Sequence, residues 1–226
     1  MRLTSAQVLR PIRDGRLLFQ DDRDAWTGGD FERMPLLVGN TADEGRMFTG
    51  NWTIRTPDAY RGFLGETFGD MAGEAERVYP AATEAEVAEQ LAFLFGDSQF
   101  TYGGWGIAGA AARHGAPVWR YIFRRHPGGR AAEPEHGDDV PYVFGTWPQL
   151  GAQPPHDEAD AALSRRMMAT WLAFAAAGEP GQGLGSWPAS DDSGDRHLAI
   201  DTDCRPMTAW RSAQMRFLDR YYDSRG

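Results

Sequence analysis

Two short, largely apolar runs constrain this chain more than any other feature. The first is Met34-Pro35-Leu36-Leu37-Val38-Gly39; the second is Ala116-Pro117-Val118-Trp119-Arg120-Tyr121-Ile122-Phe123. A short apolar run bounded by turn residues reads as a buried strand, and the first has the look of a strand covered on both faces, as in a parallel sheet. In parallel sheets, functional groups gather just beyond the C-terminal ends of the strands. The first run leads at once into Asn40-Thr41-Ala42-Asp43-Glu44-Gly45, which places two carboxylates there. The second leads through a polar, glycine-rich loop from Arg124 to Ala132 into Pro134-Glu135-His136-Gly137-Asp138-Asp139-Val140-Pro141-Tyr142-Val143-Phe144-Gly145.

His136 reads as a catalytic base, because an imidazole with an ordinary pKa of about 6.5 can take and return a proton near neutral pH. Such a base needs a carboxylate to fix its tautomer and a nucleophile to deprotonate. Alone, the turn at Asp43 and Glu44 reads as the capped start of the next helix. Context promotes Glu44. If the two strands are parallel neighbours, Glu44 and His136, 92 positions apart, emerge at one sheet edge as two thirds of a serine-hydrolase triad, in the order nucleophile, acid, histidine.

The remaining pattern alternates helices with strands, which predicts an α/β sheet. Asp14-Gly15 between Pro11-Ile12 and Leu17-Leu18-Phe19 predicts a hairpin, and Asp21 to Asp30 an acidic loop. Thr56-Pro57 opens a helix that buries Tyr60, Phe63, Leu64 and Phe68. The capping box Thr83 to Glu86 opens another, with Val87, Leu91 and Leu94 inward and Gly96 as its end. Asp97-Ser98-Gln99-Phe100 then leads into a glycine- and alanine-rich helix that ends at His114-Gly115. A connection through Pro148, Pro154 and Pro155 leads to a long helix, Ala159 to Ala177, ended by Gly178. His197 to Asp201 predicts a third strand, and Trp210 to Tyr222 a terminal helix. Three strands are few for so much apolar helix surface, so the sheet is expected to be incomplete.

A net charge of −9 argues against nucleic acid or an anionic membrane as partner. There is no lysine, hence no lysine Schiff base and no P-loop lysine. The lone Cys204 excludes an intrachain disulfide framework and a cysteine-based metal site. His126, His156 and His197 lack metal-ligand spacing and read as surface or strand-end residues, so no metal and no cofactor is expected. His114 reads as a partner of a helix dipole. No apolar run suits a membrane span and no charged-then-apolar leader pattern opens at Met1. A soluble chain is expected, cytoplasmic, or secreted if a leader is lost upstream.

These segments resemble the type B carboxylesterase family, the cholinesterase-like branch of the α/β-hydrolases. Pro35 to Gly45 is similar to the family's acid-bearing loop and His136 to Gly145 to its histidine loop. Asp97 to Phe123, and Met167 to Pro180 with Trp187-Pro188, are similar to the helices, strand and loop that accompany them. The resemblance implies a single partial domain over 1–226: the C-terminal portion of an α/β-hydrolase fold, with an incomplete central sheet and packed helices. It implies Glu44 as triad acid, His136 as base and a small-molecule ester as substrate. The nucleophile elbow, Gly-x-Ser-x-Gly, would precede the acid, yet none of the serines has glycine on both sides and only Ser5 lies ahead of Glu44. The glycine-rich oxyanion loop is also missing.

The expected function is therefore a serine ester hydrolase present as a fragment or as one part of a split enzyme, with a polypeptide supplying the N-terminal half. The alternative is a non-catalytic binding or adhesion module on the same scaffold. Recruitment of Ser98 as nucleophile is a third reading, opposed by its place after the acid. Phe48 and Trp52 are candidate substrate-lining residues, with core packing as the competing reading. Asp138 and Asp139 are expected to cap the short helix after His136. Glu133-Pro134-Glu135 stands where the family carries small or apolar residues, and an adjacent carboxylate is expected to raise the histidine's pKa. An open edge on the first strand is expected to favour association.

Overall fold

The computed structural model describes residues 12–126, 128, 132–146 and 156–225. Pro11, Pro148, Pro154, Pro155 and Ser5 lie outside the described residues. Four strands form one sheet in the order β1-β2-β3-β4. β1 (Leu36–Thr41) and β2 (Val118–Phe123) run parallel, in register from Leu36 opposite Val118 to Thr41 opposite Phe123. β3 (His197–Ile200) is parallel to β2, and β4 (Arg205–Met207) is antiparallel to β3. The fourth strand is an addition to the three expected. It is short, exposed and carries Pro206, which suits only a sheet edge. β1 forms the opposite edge. Expected to be buried on both faces, it is buried only at Asn40 and Thr41, because no described strand lies on its outer side.

Alternate side chains of β2 serve two layers. Val118 meets Ala108, Ala111 and Ala116 beneath helix α6 (Tyr102–Arg113). Tyr121 and Phe123 meet Leu163 and Met167 of helix α8 (Glu158–Ala177), with Trp187, Leu198 and Ile200. A separate helical core joins α3 (Pro57–Phe68), α4 (Ala72–Val78), α5 (Glu84–Gly96) and α9 (Ser212–Asp223) through Tyr60, Phe63, Leu64, Phe68, Leu91, Leu94, Phe217 and Leu218. The predicted caps form. Thr56 accepts a hydrogen bond from the Ala59 N–H, and Thr83 with Glu86 closes a capping box. α8 begins one residue earlier than expected, at its own capping box of Asp157 and Asp160.

Several expectations are corrected. The predicted hairpin at 11–20 is, from Ile12 onward, a loop in which Asp14 Oδ1 gathers the N–H groups of Arg16, Leu17 and Leu18. The predicted acidic loop contains helix α1 (Asp22–Gly28), capped by Asp21 and ended by the left-handed Gly29. α5 does end at Gly96, but the chain does not leave the helix there: the backbone continues through a π-helical turn, Asp97–Thr101, directly into α6. The terminal helix starts at Ser212, after Arg211 in a left-handed conformation with φ of 55°. No described helix is long and apolar enough to cross a membrane.

His197, expected at a surface or strand end, does open β3, but it is 1% exposed. Burial drives its pKa down to about 4; Nδ1 donates to the Asp195 carbonyl at 2.9 Å, which partly opposes burial, and nearby Arg120 reinforces it. The unfolded chain, with an ordinary histidine, binds a proton below about pH 6.5 that the folded chain refuses until about pH 4. The linkage is unfavourable to the fold only on the acid side. Stability should fall by up to about 3 kcal/mol between those pH values and be flat in this group above them. Urea unfolding followed by tryptophan fluorescence at pH 7 and pH 5 checks this; His197→Gln should lose most of that slope.

Candidate active site

The parallel ladder does not stop with the strands. The Ala42 N–H donates to the Phe123 carbonyl at 3.0 Å, and the Asp43 N–H to the Pro134 carbonyl at 3.0 Å. The loop after β2 therefore leaves the sheet and returns to it, pairing Asp43 with Glu135. Glu44 and His136 stand one residue beyond that pair.

His136 occupies a tight turn closed by the Asp138 N–H on the Glu135 carbonyl at 3.1 Å. Gly137 takes the left-handed φ of 86° that such a turn needs. Both sides of the loop are tied to α8 through Asp160, which is fully buried. Its carboxylate accepts from Arg125 Nε at 2.6 Å, from the Gly128 N–H at 2.8 Å and from the Tyr142 hydroxyl at 2.8 Å. Burial alone would raise the Asp160 pKa; the Arg125 contact and the N–H donors of Asp157 and Gly128 overcome it and hold the group at about 2.

Glu44 is 6% exposed and uses both oxygens. Oε1 accepts from the Thr41 N–H at 2.6 Å, and Oε2 lies 2.5 Å from His136 Nδ1. This contact places the imidazole proton on Nδ1 and leaves the Nε2 lone pair free. Among the described residues Nε2 makes no hydrogen bond, and the ring borders a groove of about 450 Å³. Val38, Gly39 and Asn40 of β1, Phe100, Gly104 and Ile107 form much of its wall.

The acid is held in place from behind by two backbones in direct contact. A Cβ on Gly45 would lie 1.7 Å from the Ala92 carbonyl oxygen, and one on Gly96 would lie 2.8 Å from the Gly45 nitrogen. Only glycine permits α5 to approach the acid turn so closely. Asp43, the other carboxylate of that turn, accepts from the Arg46 N–H at 3.1 Å and from Arg46 Nε at 2.6 Å, which ties it to the first residue of helix α2 (Arg46–Thr49), whose N-cap position is Gly45.

Other candidates fall out differently. Phe48 sets its ring edge against His136, with centroids 5.3 Å apart. Trp52 packs edge-on against Phe63 and Phe95, at the margin of the helical core. Asp138 and Asp139 do not cap the short helix α7 (Val140–Phe144) with their side chains. Asp138 accepts from the Glu135 N–H at 2.8 Å, and Asp139 from the Tyr121 hydroxyl at 2.8 Å. Glu133 is ion-paired with Arg124. Ser98 donates to the Phe95 carbonyl at 3.0 Å and lines a different cavity, near Arg23 and Tyr102. His114 donates from Nε2 to the Thr27 carbonyl at 3.1 Å, joining α6 to α1. His156 sits half-buried near Asp160. Sequence reasoning did not single out Phe100, whose ring lies against His136, or the Gly45–Gly96 contact. A glycine directly after the acid was the available signal for the latter.

A parallel sheet with helices packed on both faces is that of an α/β-hydrolase fold, and the Glu44–His136 pair lies at its C-terminal edge. The carboxylesterase family model matches residues 3–218, and the chain belongs to that family. It is 39% identical over 204 residues to the fumonisin B1 esterase of Sphingopyxis macrogoltabida, an alignment covering 86% of this chain and 37% of that protein. With the para-nitrobenzyl esterase of Bacillus subtilis (strain 168) it shares 27% identity over 199 residues, 86% of this chain and 40% of the relative. A solved PNB esterase structure superposes with a TM-score of 0.73 at 24% identity, covering 92% of this chain and 43% of that one. The chain spans about two fifths of the length of these relatives.

Gly45→Ala should displace the acid turn and destabilise the chain by about 1–3 kcal/mol, the usual cost of overpacking. Gly62→Ala in α3, whose Cβ would meet nothing within 4 Å, should instead be neutral or stabilise by up to about 1 kcal/mol. Denaturant midpoints of the two variants, compared at equal m, test the contrast.

Proposed function

We propose that this chain supplies the acid and the base of a serine carboxylic-ester hydrolase, and that the nucleophilic serine comes from polypeptide outside it. The observation that carries this reading is the His136 imidazole, bonded through Nδ1 to buried Glu44 and open through Nε2 on the groove. Membership of the carboxylesterase family supports ester hydrolysis as the chemistry. Nε2 takes the proton of the incoming serine as its oxygen attacks the ester carbonyl, then returns it to the leaving alcohol. Glu44 holds the Nδ1–H tautomer and stabilises the imidazolium that forms between those steps. A second cycle, with water in place of the serine, releases the acid. Backbone N–H groups of the complementing polypeptide would stabilise the oxyanion.

The substrate is a small-molecule ester, and a groove of about 450 Å³ is of a size for one. Neither Phe48 nor Trp52 is part of its wall; Phe48, 40% exposed, packs on the ring of His136, and Phe100 is the aromatic residue that lines the groove. The partner is the polypeptide bearing the serine, and the outer edge of β1 gives it backbone groups to pair with beside the groove.

Nitrophenyl ester hydrolysis by the chain with and without a polypeptide supplying a Gly-x-Ser-x-Gly turn tests the reading. Activity is expected only from the combination. Comparable activity from the chain alone would overturn the external nucleophile; binding of the polypeptide with no hydrolysis would favour a non-catalytic module. In the active combination, Glu44→Gln should lower kcat by about 10²–10⁴-fold with KM little changed, and His136→Ala by at least as much.

A further inference from the structure

We infer that Phe100 is a positioning residue for His136, an aromatic wall that holds the imidazole in its Glu44-bound orientation. The inference rests on the reading of His136 as the base. The rings of Phe100 and His136 have centroids 4.5 Å apart and planes tilted by 37°. Phe48 closes a further side of the imidazole at 5.3 Å, and it stacks on Phe100 with centroids 5.8 Å apart at 26°. The imidazole is thus held through one nitrogen by a carboxylate and walled by two phenyl rings, with Nε2 left for chemistry.

What puts Phe100 there is an irregularity in the helix. Phe100 lies in the π-helical turn Asp97–Thr101, between α5 and α6. A π turn inserts an extra residue and rotates the side chains that follow; such turns are uncommon and recur at functional sites. This one is anchored. Buried Asp97 receives two nitrogens of Arg211, Nε at 2.8 Å and Nη2 at 2.6 Å, and the Tyr79 hydroxyl at 2.9 Å. On the groove side, Thr101 Oγ1 receives Asn40 Nδ2 of β1 at 3.3 Å. Regular α-helix through the segment would change the direction in which Phe100 projects. Its ring restricts rotation of the imidazole, shields the Glu44–Nδ1 bond from water, and presents an aromatic face to the cation that forms when Nε2 takes a proton.

The test is a spectroscopic one on the full 226-residue chain. The Nδ1 proton held between His136 and Glu44 should give a far-downfield proton resonance, assigned by its loss in His136→Gln. Phe100→Leu, which keeps apolar bulk without the ring, should speed exchange of that proton with water by about 3- to 10-fold, a factor typical of one lost aromatic contact. Phe100→Tyr should retain the slow exchange. Phe63→Leu, a core aromatic in contact with Trp52 instead, supplies the control for general loosening and should leave the exchange rate unchanged. Unchanged exchange in Phe100→Leu, or equal acceleration in Phe63→Leu, would overturn the positioning role while leaving the acid–base pair intact. Absence of the resonance in the unsubstituted chain would overturn the Glu44–His136 reading itself, and this inference with it. If Phe100→Leu fails to fold, Phe100→Tyr decides alone: faster exchange in a folded Tyr variant counts against the role, slow exchange for it.

Discussion

The site depends on the parallel ladder between β1 and β2. Side chains on a strand alternate faces, so a slip of one residue in this pairing would exchange the side chains that the two packed layers receive and would carry Glu44 past His136. The register from Leu36–Val118 to Thr41–Phe123 excludes such a slip, since Val118, Ile122 and Phe123 are all almost fully buried. The ladder then survives a break. After the loop following β2 has left the sheet, the Pro134 carbonyl takes the next hydrogen bond from Asp43, as though the strand had continued. The histidine is placed by the same pattern of backbone pairing that makes the sheet.

The helical layer sets the second coordinate. α5 is driven against the acid turn at Gly45 and Gly96, and the same helix runs on into the turn that carries Phe100. Glu44 and the aromatic side of His136 are therefore held by one element. That element is tethered to the end of the chain by Asp97 and Arg211. Arg211 takes a left-handed conformation, unfavourable by about 1–2 kcal/mol for a residue with a Cβ, to reach the carboxylate, and its guanidinium also lies 4.3 Å from the Phe93 ring centroid. Burying such a pair brings little net stability, but removing either partner leaves a charge without compensation. The pair serves better as a device that specifies where the helix widens than as a source of stability.

What the sequence made legible follows from how local each cause is. β1 and β2 announced themselves as short, largely apolar runs bounded by turn residues, and α3, α5 and α8 because Thr56, Thr83, Gly178 and their partners act within four residues. The pairing of Glu44 with His136 could be anticipated because both follow strands that needed only to be parallel neighbours. The π-helical turn could not, since its anchor, Arg211, lies 114 residues beyond Asp97. β4 was missed because Arg205-Pro206-Met207 is exposed and has no apolar pattern. α1 was misread as a loop because it buries no residue, although Asp21 and Gly29 mark its ends. Asp160 was not singled out, because its partners, Arg125, Gly128 and Tyr142, converge on it only after the loop has folded back over α8.

The geometry also bears on what a complementing segment would have to contribute. Orienting a base and its carboxylate is a large part of what a triad requires, because a misplacement of about 1 Å at such a site can lower a rate by about 10²-fold. Here that orientation is built from within the chain: a backbone N–H on Oε1, a carboxylate on Nδ1, a glycine contact behind the acid and phenyl rings beside the base. Nothing in the arrangement waits for a serine to be present. On the proposed reading, a nucleophile that reaches hydrogen-bonding distance of Nε2 would meet an imidazole already oriented by Glu44, so the ordering cost of the pair would fall on the folding of this chain and not on the encounter. This is the order of events in which a site divided between two polypeptide segments works best: the more rigid the half that holds the proton acceptor, the less precisely the other half must be guided to it.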